Sequence, residues 1–219
     1  MTKPLTITKL GEKLHIEGYP DAVAVKRIDD VIARQLQAIT LHHFDLDFCR
    51  KSLDELARLD RGLQPLLAEA LWVSSIARYF KCFGENKART QLGPKKILKL
   101  QPGAEKVFGY FHHLRDKHII HDENPYSQAF TAVVLNPKGA QWKVADIVSL
   151  AMSAFTVDDD HLRSFSQLVD VTLAWVSAKR DELHNILGKE YEKWKYDDLL
   201  ALPNISYTTP TSDKVGIRR

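Results

Sequence analysis

The chain has 219 residues, 44% hydrophobic and 27% charged, which is enough to bury a sizeable core and too apolar for a disordered polymer. No apolar run approaches the roughly 18–20 residues of a membrane span, and no apolar stretch of signal-peptide type follows Met1-Thr2-Lys3-Pro4. A cytoplasmic protein without membrane attachment is therefore expected, and its formal net charge of +3 conceals an asymmetry.

Leu5 and Ile7, then Leu14 and Ile16, alternate with polar residues around Gly11-Glu12-Lys13, the pattern of an N-terminal β-hairpin. Val25, Ile28, Ile32, Leu36 and Ile39 recur at helical steps over 22–41, and a second helical run continues from Phe44 to Leu59 after a break near Asp45 or Asp47. The stretch Gly62–Phe83 predicts a core helix, with Leu63, Leu66, Leu67, Leu71, Ile76 and Phe80 on its apolar face and Pro65 in its first turn. Gly93-Pro94 and Pro102-Gly103 bracket a basic connector. From Ala104 a further helix runs through Val107, Phe108, Phe111 and Leu114 and stops before Asn124-Pro125. Phe130–Leu135, the turn signal Asn136-Pro137-Lys138-Gly139 and Trp142–Val148 predict a β-hairpin insertion near 128–148, although the second run also suits a helix start. Thr156 and Asp158-Asp159-Asp160 open a long helix over 159–187, with Gly188 as its stop. The fold expected is mainly α, a helical bundle with short β-hairpin embellishments, forming one domain over 1–205 and a flexible tail over 206–219.

The charge is unevenly spread. From Arg78 to Lys117 there are ten cations and three acids, so this segment is +7 and the remainder of the chain is −4. Lys95, Lys96, Lys99 and Lys117 are the cations expected to meet RNA or a nucleotide, an anionic partner that such a stretch attracts electrostatically. Cys49 and Cys82 have no CxxC or Cys/His zinc spacing and are expected to be free buried thiols.

The basic stretch ends at Arg115-Asp116-Lys117-His118-Ile119-Ile120-His121. Arginine offers a planar fork of donors that matches phosphate oxygens, and histidine moves a proton near neutral pH. The spacing by itself also arises by chance in a chain with 12 Arg and 9 His; its setting gives it weight. On an ideal α-helix Arg115 and His121 would lie about 240° apart around the axis and roughly 9 Å apart along it, so one copy cannot close both on one phosphate. Two copies about a two-fold axis can, which makes a homodimer the expected active form. Asp116 is placed to orient the guanidinium or to accept from a histidine. His118 shares the apolar face of Phe111 and Leu114 and is first an interior histidine. A divalent-metal site built on His118, His121 and Asp122 lacks a well-placed upstream histidine, since His112 and His113 are on the same helix; no metal and no cofactor is expected.

This arginine–polar–histidine signature resembles that of HEPN-type domains, a superfamily of prokaryotic helical ribonucleases and nucleotide-binding proteins. The resemblance covers mainly 44–121, with the 159–187 helix completing the bundle. It implies a dimer whose motifs line a cleft, and metal-independent RNA cleavage by a 2′-hydroxyl in a defence or toxin-type system. Arg115 and His121 would be its catalytic residues, with Asp116 and His118 in support, and an antitoxin or other partner protein would accompany it. One departure stands out: Glu123 occupies the place where toxin members often carry a tyrosine, so regulation by nucleotide transfer to that position is not implied. A non-enzymatic helical dimer serving as a binding or scaffold protein is the alternative.

Overall fold

The structure is a computed structural model that describes residues 7–10, 13–85, 89–99, 101–121, 123–205 and 210–217. It is mainly α: β1 (Ile7–Leu10), β2 (Lys13–Ile16), α1 (Val31–Arg58), α2 (Pro65–Lys81), α3 (Pro94–Leu98), α4 (Ala104–Leu114), a π-helical segment (Arg115–Ile120), β3 (Ser127–Leu135), β4 (Val144–Ser153), α5 (Asp159–Tyr191), α6 (Tyr196–Ala201) and a 3-10 turn (Ser212–Lys214). Two antiparallel hairpins, β1–β2 and β3–β4, make up the sheets among the described residues. The chain divides into two compact units, one from the described parts of Met1–Thr40, Lys87–Thr90 and Lys179–Arg219, the other from Leu41–Asn86 and Gln91–Ala178.

In the first unit, residues 22–30 are not helical, contrary to their periodicity. Their backbone finds partners elsewhere: Arg27 N–H donates to the Pro203 carbonyl at 2.7 Å, and Lys26 bridges Asn204. The helix starts instead behind Asp30, whose carboxylate accepts the Ala33 N–H at 2.7 Å as an N-cap. The same carboxylate accepts the Tyr191 hydroxyl at 2.7 Å, tying the start of α1 to the end of α5. Helix α5 therefore runs past Gly188, the expected stop, to Tyr191. The turn expected at Gly11-Glu12 lies outside the described residues, as do Leu5 and, from the expected tail, 206–209 and 218–219.

The second unit holds the principal core. Helix α1 is continuous through the expected break at Asp45, because that buried acid faces Arg78 Nη1 at 3.9 Å and Lys81 Nζ at 3.5 Å on α2. Neutralising an interior carboxylate from a neighbouring helix removes the reason to break there. Helix α2 buries Ala68, Trp72, Ser75, Ile76, Tyr79 and Phe80, so its inward stripe is turned away from the one the leucines suggested. Leu63 and Leu66 are about four-fifths exposed, at 82% and 80%. The aromatics decide the face: Trp72 stands edge-on to Phe111 at 5.7 Å and to Phe165 at 5.5 Å, and Tyr79 to Phe165 at 5.3 Å. Helix α5 answers with Leu162, Phe165, Val169, Thr172 and Val176 at alternating steps of three and four. Two polar groups are satisfied within this core: Trp72 Nε1 donates to Thr156 Oγ1 at 3.0 Å, and the Tyr79 and Thr172 hydroxyls bond at 2.9 Å. Cys49 and Cys82 are buried and not joined in a disulfide, and burial pushes the Cys49 thiol well above its ordinary range.

The β3–β4 hairpin is longer than the sequence reading places it, pairing Ser127 with Ser153 through to Leu135 with Val144, with an irregularity at Val134/Leu135. Gly139 in its turn has φ +96°, a conformation that favours glycine.

Candidate functional site

Helix α4 delivers the candidate site. Phe111 and Leu114 are buried, and the turn beyond them changes character: residues Arg115–Ile120 form a π-helical segment instead of continuing α4. A π turn closes i→i+5 bonds and is wider than an α turn, so the angle expected between Arg115 and His121 on an ideal α-helix does not apply. His121 lies just past the end in extended backbone, φ −133° and ψ 143°, and is exposed.

Arg115 is held by its neighbour. Its Nε donates to Asp116 Oδ1 at 2.7 Å and Nη2 lies 2.6 Å from the same oxygen, while the guanidinium sits 5.7 Å over the Phe80 ring. The second carboxylate oxygen of Asp116 lies 3.2 Å from His112 Nδ1. The His112 ring in turn stands edge-on to Phe80 at 5.3 Å and stacks on Phe108 at 6.1 Å. A carboxylate bridging an imidazole and a guanidinium, with aromatic rings behind both, fixes a cation and a proton carrier side by side. Arg115 and Asp116 retain 29% and 30% side-chain exposure and His112 43%, so the cluster is reachable from solvent.

Of the expected residues, Arg115 and Asp116 come together, and no hydrogen bond or ion pair among the described residues joins either to His121. Lys117 is paired with Glu123, which holds the lysine above its ordinary range and the carboxylate below. His118 is half-buried with Nδ1 lacking a hydrogen-bond partner, edge-on to Tyr126 at 5.3 Å. Tyr110, stacked on His161 at 4.9 Å, has its hydroxyl pushed up to about 12, first by burial and then by Tyr126. His112 is the residue the motif did not single out. Its position four residues before Asp116 on a helix was the available signal, since i and i+4 side chains meet.

The basic stretch is not uniformly free. Arg78 and Lys81 face Asp45, and Arg78 also covers the Phe48 ring at 3.8 Å. Arg89 is buried, and Lys87 lies outside the described residues. Lys95 and Lys96 on α3 and Lys99 just after it are exposed, with Lys96 Nζ 5.6 Å over the Trp175 ring, while Ile97 and Leu98 anchor the short helix inward. Asp122 is outside the described residues, and among those described no group of three or more His, Cys, Asp or Glu is placed to hold a metal ion. No described helix is long and apolar enough to cross a membrane. No family model, curated protein or solved structure matches the chain.

Proposed function

We propose that this chain is a HEPN-like RNA-binding protein acting, as a homodimer, as a metal-independent endoribonuclease of a prokaryotic defence or toxin-type system. The supporting observation is the Arg115–Asp116–His112 cluster at the open end of α4, with exposed His121 following the π-helical segment in sequence. In the reaction proposed, a histidine takes the proton of an RNA 2′-hydroxyl and the freed oxygen forms a bond to the adjacent phosphorus. The bond from phosphorus to the 5′-oxygen breaks, and that oxygen leaves with a proton from a second acid. The products are a 2′,3′-cyclic phosphate and a 5′-hydroxyl. Arg115 meets the charge that grows on the phosphoryl oxygens. Lys95, Lys96, Lys99 and Lys117 supply the approach of the polyanion.

A second reading has its own observation. Asp116 occupies Nε and Nη2 of Arg115, the side of the fork that would otherwise meet a phosphate. A guanidinium committed in this way fits a non-enzymatic helical dimer serving as a binding or scaffold protein. Cleavage of labelled RNA by wild type, Arg115→Ala, His121→Ala and His112→Ala, with and without EDTA and alongside melting curves, separates the two. The nuclease reading expects Arg115→Ala and His121→Ala each to lose roughly 10²–10³-fold in rate, with unchanged melting and no effect of chelator. Loss on His112→Ala but not His121→Ala moves the proton transfer to the Asp116-linked imidazole. A folded wild type that cuts no RNA leaves the scaffold reading.

A further inference from the structure

Where the start of α4 meets α5, the second unit leaves a cavity of about 120 Å³. Val107, Leu168 and Val171 give it apolar walls, and Gln101, Ser164 and Gln167 line it with two carboxamides and a hydroxyl. Among the described residues no side-chain hydrogen bond engages these three polar groups, so they are available to a ligand. Methyl groups for a ring face, with a few donors and acceptors for its edge, suit a planar heterocycle. Size narrows the choice further. Sites for drug-sized ligands run to roughly 300–1,000 Å³, so this cavity takes one ring system and leaves any attached sugar and phosphate outside.

The ground outside is cationic. From Pro94 to Val107 the chain carries Lys95, Lys96, Lys99 and Lys106 against one acid, Glu105, and all four lysines are exposed. Lys96 Nζ lies 5.6 Å over the Trp175 ring, and Trp175 follows Val171 by one helical turn of α5. The α3 lysines and the cavity therefore share one face of that helix. A single strand whose phosphates lie on these lysines has the cavity within reach of a base turned inward.

We propose that this cavity is a nucleobase subsite, taking one unpaired base of single-stranded RNA while the flanking phosphates lie on Lys95, Lys96 and Lys99. The subsite rests on the RNA-binding part of the functional proposal above and not on cleavage by Arg115 and His121. A free mononucleotide offers the same ring, but one phosphate group cannot engage several separate lysines, so the strand is the occupant.

Fluorescence anisotropy on the full chain, with a labelled single-stranded RNA and an abasic ribose-phosphate strand of equal length, tests this. The two strands carry the same charge, and wild type should bind the RNA roughly tenfold more tightly. Val171→Phe puts a ring into the cavity and should abolish that preference. It should leave the slope of log affinity against log salt unchanged, because no phosphate contact is touched. Should Val171→Phe misfold, Gln167→Ala decides: its side chain is exposed, and its loss should weaken the RNA severalfold and leave the abasic strand unaffected. A wild type that binds both strands equally overturns the subsite while RNA binding stands. So does a folded Val171→Phe or Gln167→Ala that keeps the full preference. Displacement of the strand by adenosine or uridine monophosphate at micromolar concentration overturns RNA as the occupant. A wild type that binds neither strand removes the RNA-binding reading and the subsite together.

Discussion

Helices α2, α4 and α5 and the β3–β4 hairpin draw on the same apolar vocabulary and use it in opposite ways. Trp72, Tyr79, Phe80, Phe111 and Phe165 are at most 1% exposed, whereas Phe130, Ile147, Leu150 and Met152 are all half exposed or more. The difference lies in geometry, not in residue type. A helix needs one neighbour to cover its single stripe, and α2, α4 and α5 cover one another. A two-stranded ribbon has two faces and two open edges, and among the described residues neither hairpin strand pairs beyond the other. Composition therefore reports how much surface wants covering, and topology decides whether this copy of the chain covers it.

The sharpest way to break the comparison is to remove one large side chain from each region. Trp72→Ala empties a packed site between Phe111 and Phe165 and frees the Thr156 hydroxyl, and should cost about 3–5 kcal/mol in chemical denaturation. That cost should be the same at every protein concentration. Phe130→Ala should change stability by no more than about 0.5 kcal/mol, because its ring is already half exposed. A loss from Phe130→Ala as large as that from Trp72→Ala would mean that the hairpin is covered within one chain.

Exposed ground comes in a second kind, cationic instead of apolar, on and just after α3. Replacing Lys95, Lys96 and Lys99 together by alanine should weaken RNA binding roughly tenfold at physiological salt and lower the slope of log affinity against log salt by about 2. Melting should not move, since these side chains are exposed and the helix is anchored by Ile97 and Leu98. RNA affinity that ignores salt in the wild type would remove the electrostatic argument altogether.

Periodicity and turn signals were enough for the fold class, both hairpins and the start of α5 at Asp158, whose carboxylate accepts the His161 N–H at 2.8 Å. What failed depended on partners distant in sequence. Asp45 looks like a helix breaker until Arg78 and Lys81 are beside it, and residues 22–30 look helical until the 203–205 backbone takes their bonds. On α2 the leucine stripe outvotes Trp72 and Tyr79 in a count of apolar residues, although the larger aromatics set the buried face. At the site, the side-chain neighbourhood of Arg115 and Asp116 was legible because they are adjacent. The π segment was not, since an ideal helix was the only geometry the spacing could be laid on, and with it went the orientation of His121.

The smallest effect asks whether the first unit is held by local bonds of the same quality as the packed core. Asp30 caps α1 and receives the Tyr191 hydroxyl, and these bonds, the Ala33 N–H first, hold its carboxyl below the ordinary 3.8. A carboxyl depressed in the folded state stabilises fully above its unfolded value, and the contribution is lost as pH falls from there through the folded value. Tyr191 runs the other way: the bond to Asp30 pushes its hydroxyl up to about 12, so its contribution is intact below pH 10 and lost as pH rises toward 12. Asp30→Ala should therefore cost about 1 kcal/mol near neutral pH, the usual worth of a cap. Asp30→Asn should keep most of the cap, because asparagine caps as well as aspartate, while removing Asp30's own share of the acid-side pH dependence. Urea titrations of wild type and both variants at pH 7 and at pH 3 give the comparison. If Asp30→Ala costs nothing at pH 7, or if Asp30→Asn loses stability between pH 4 and 3 as steeply as wild type, then the link between the start of α1 and the end of α5 does not hold the unit together.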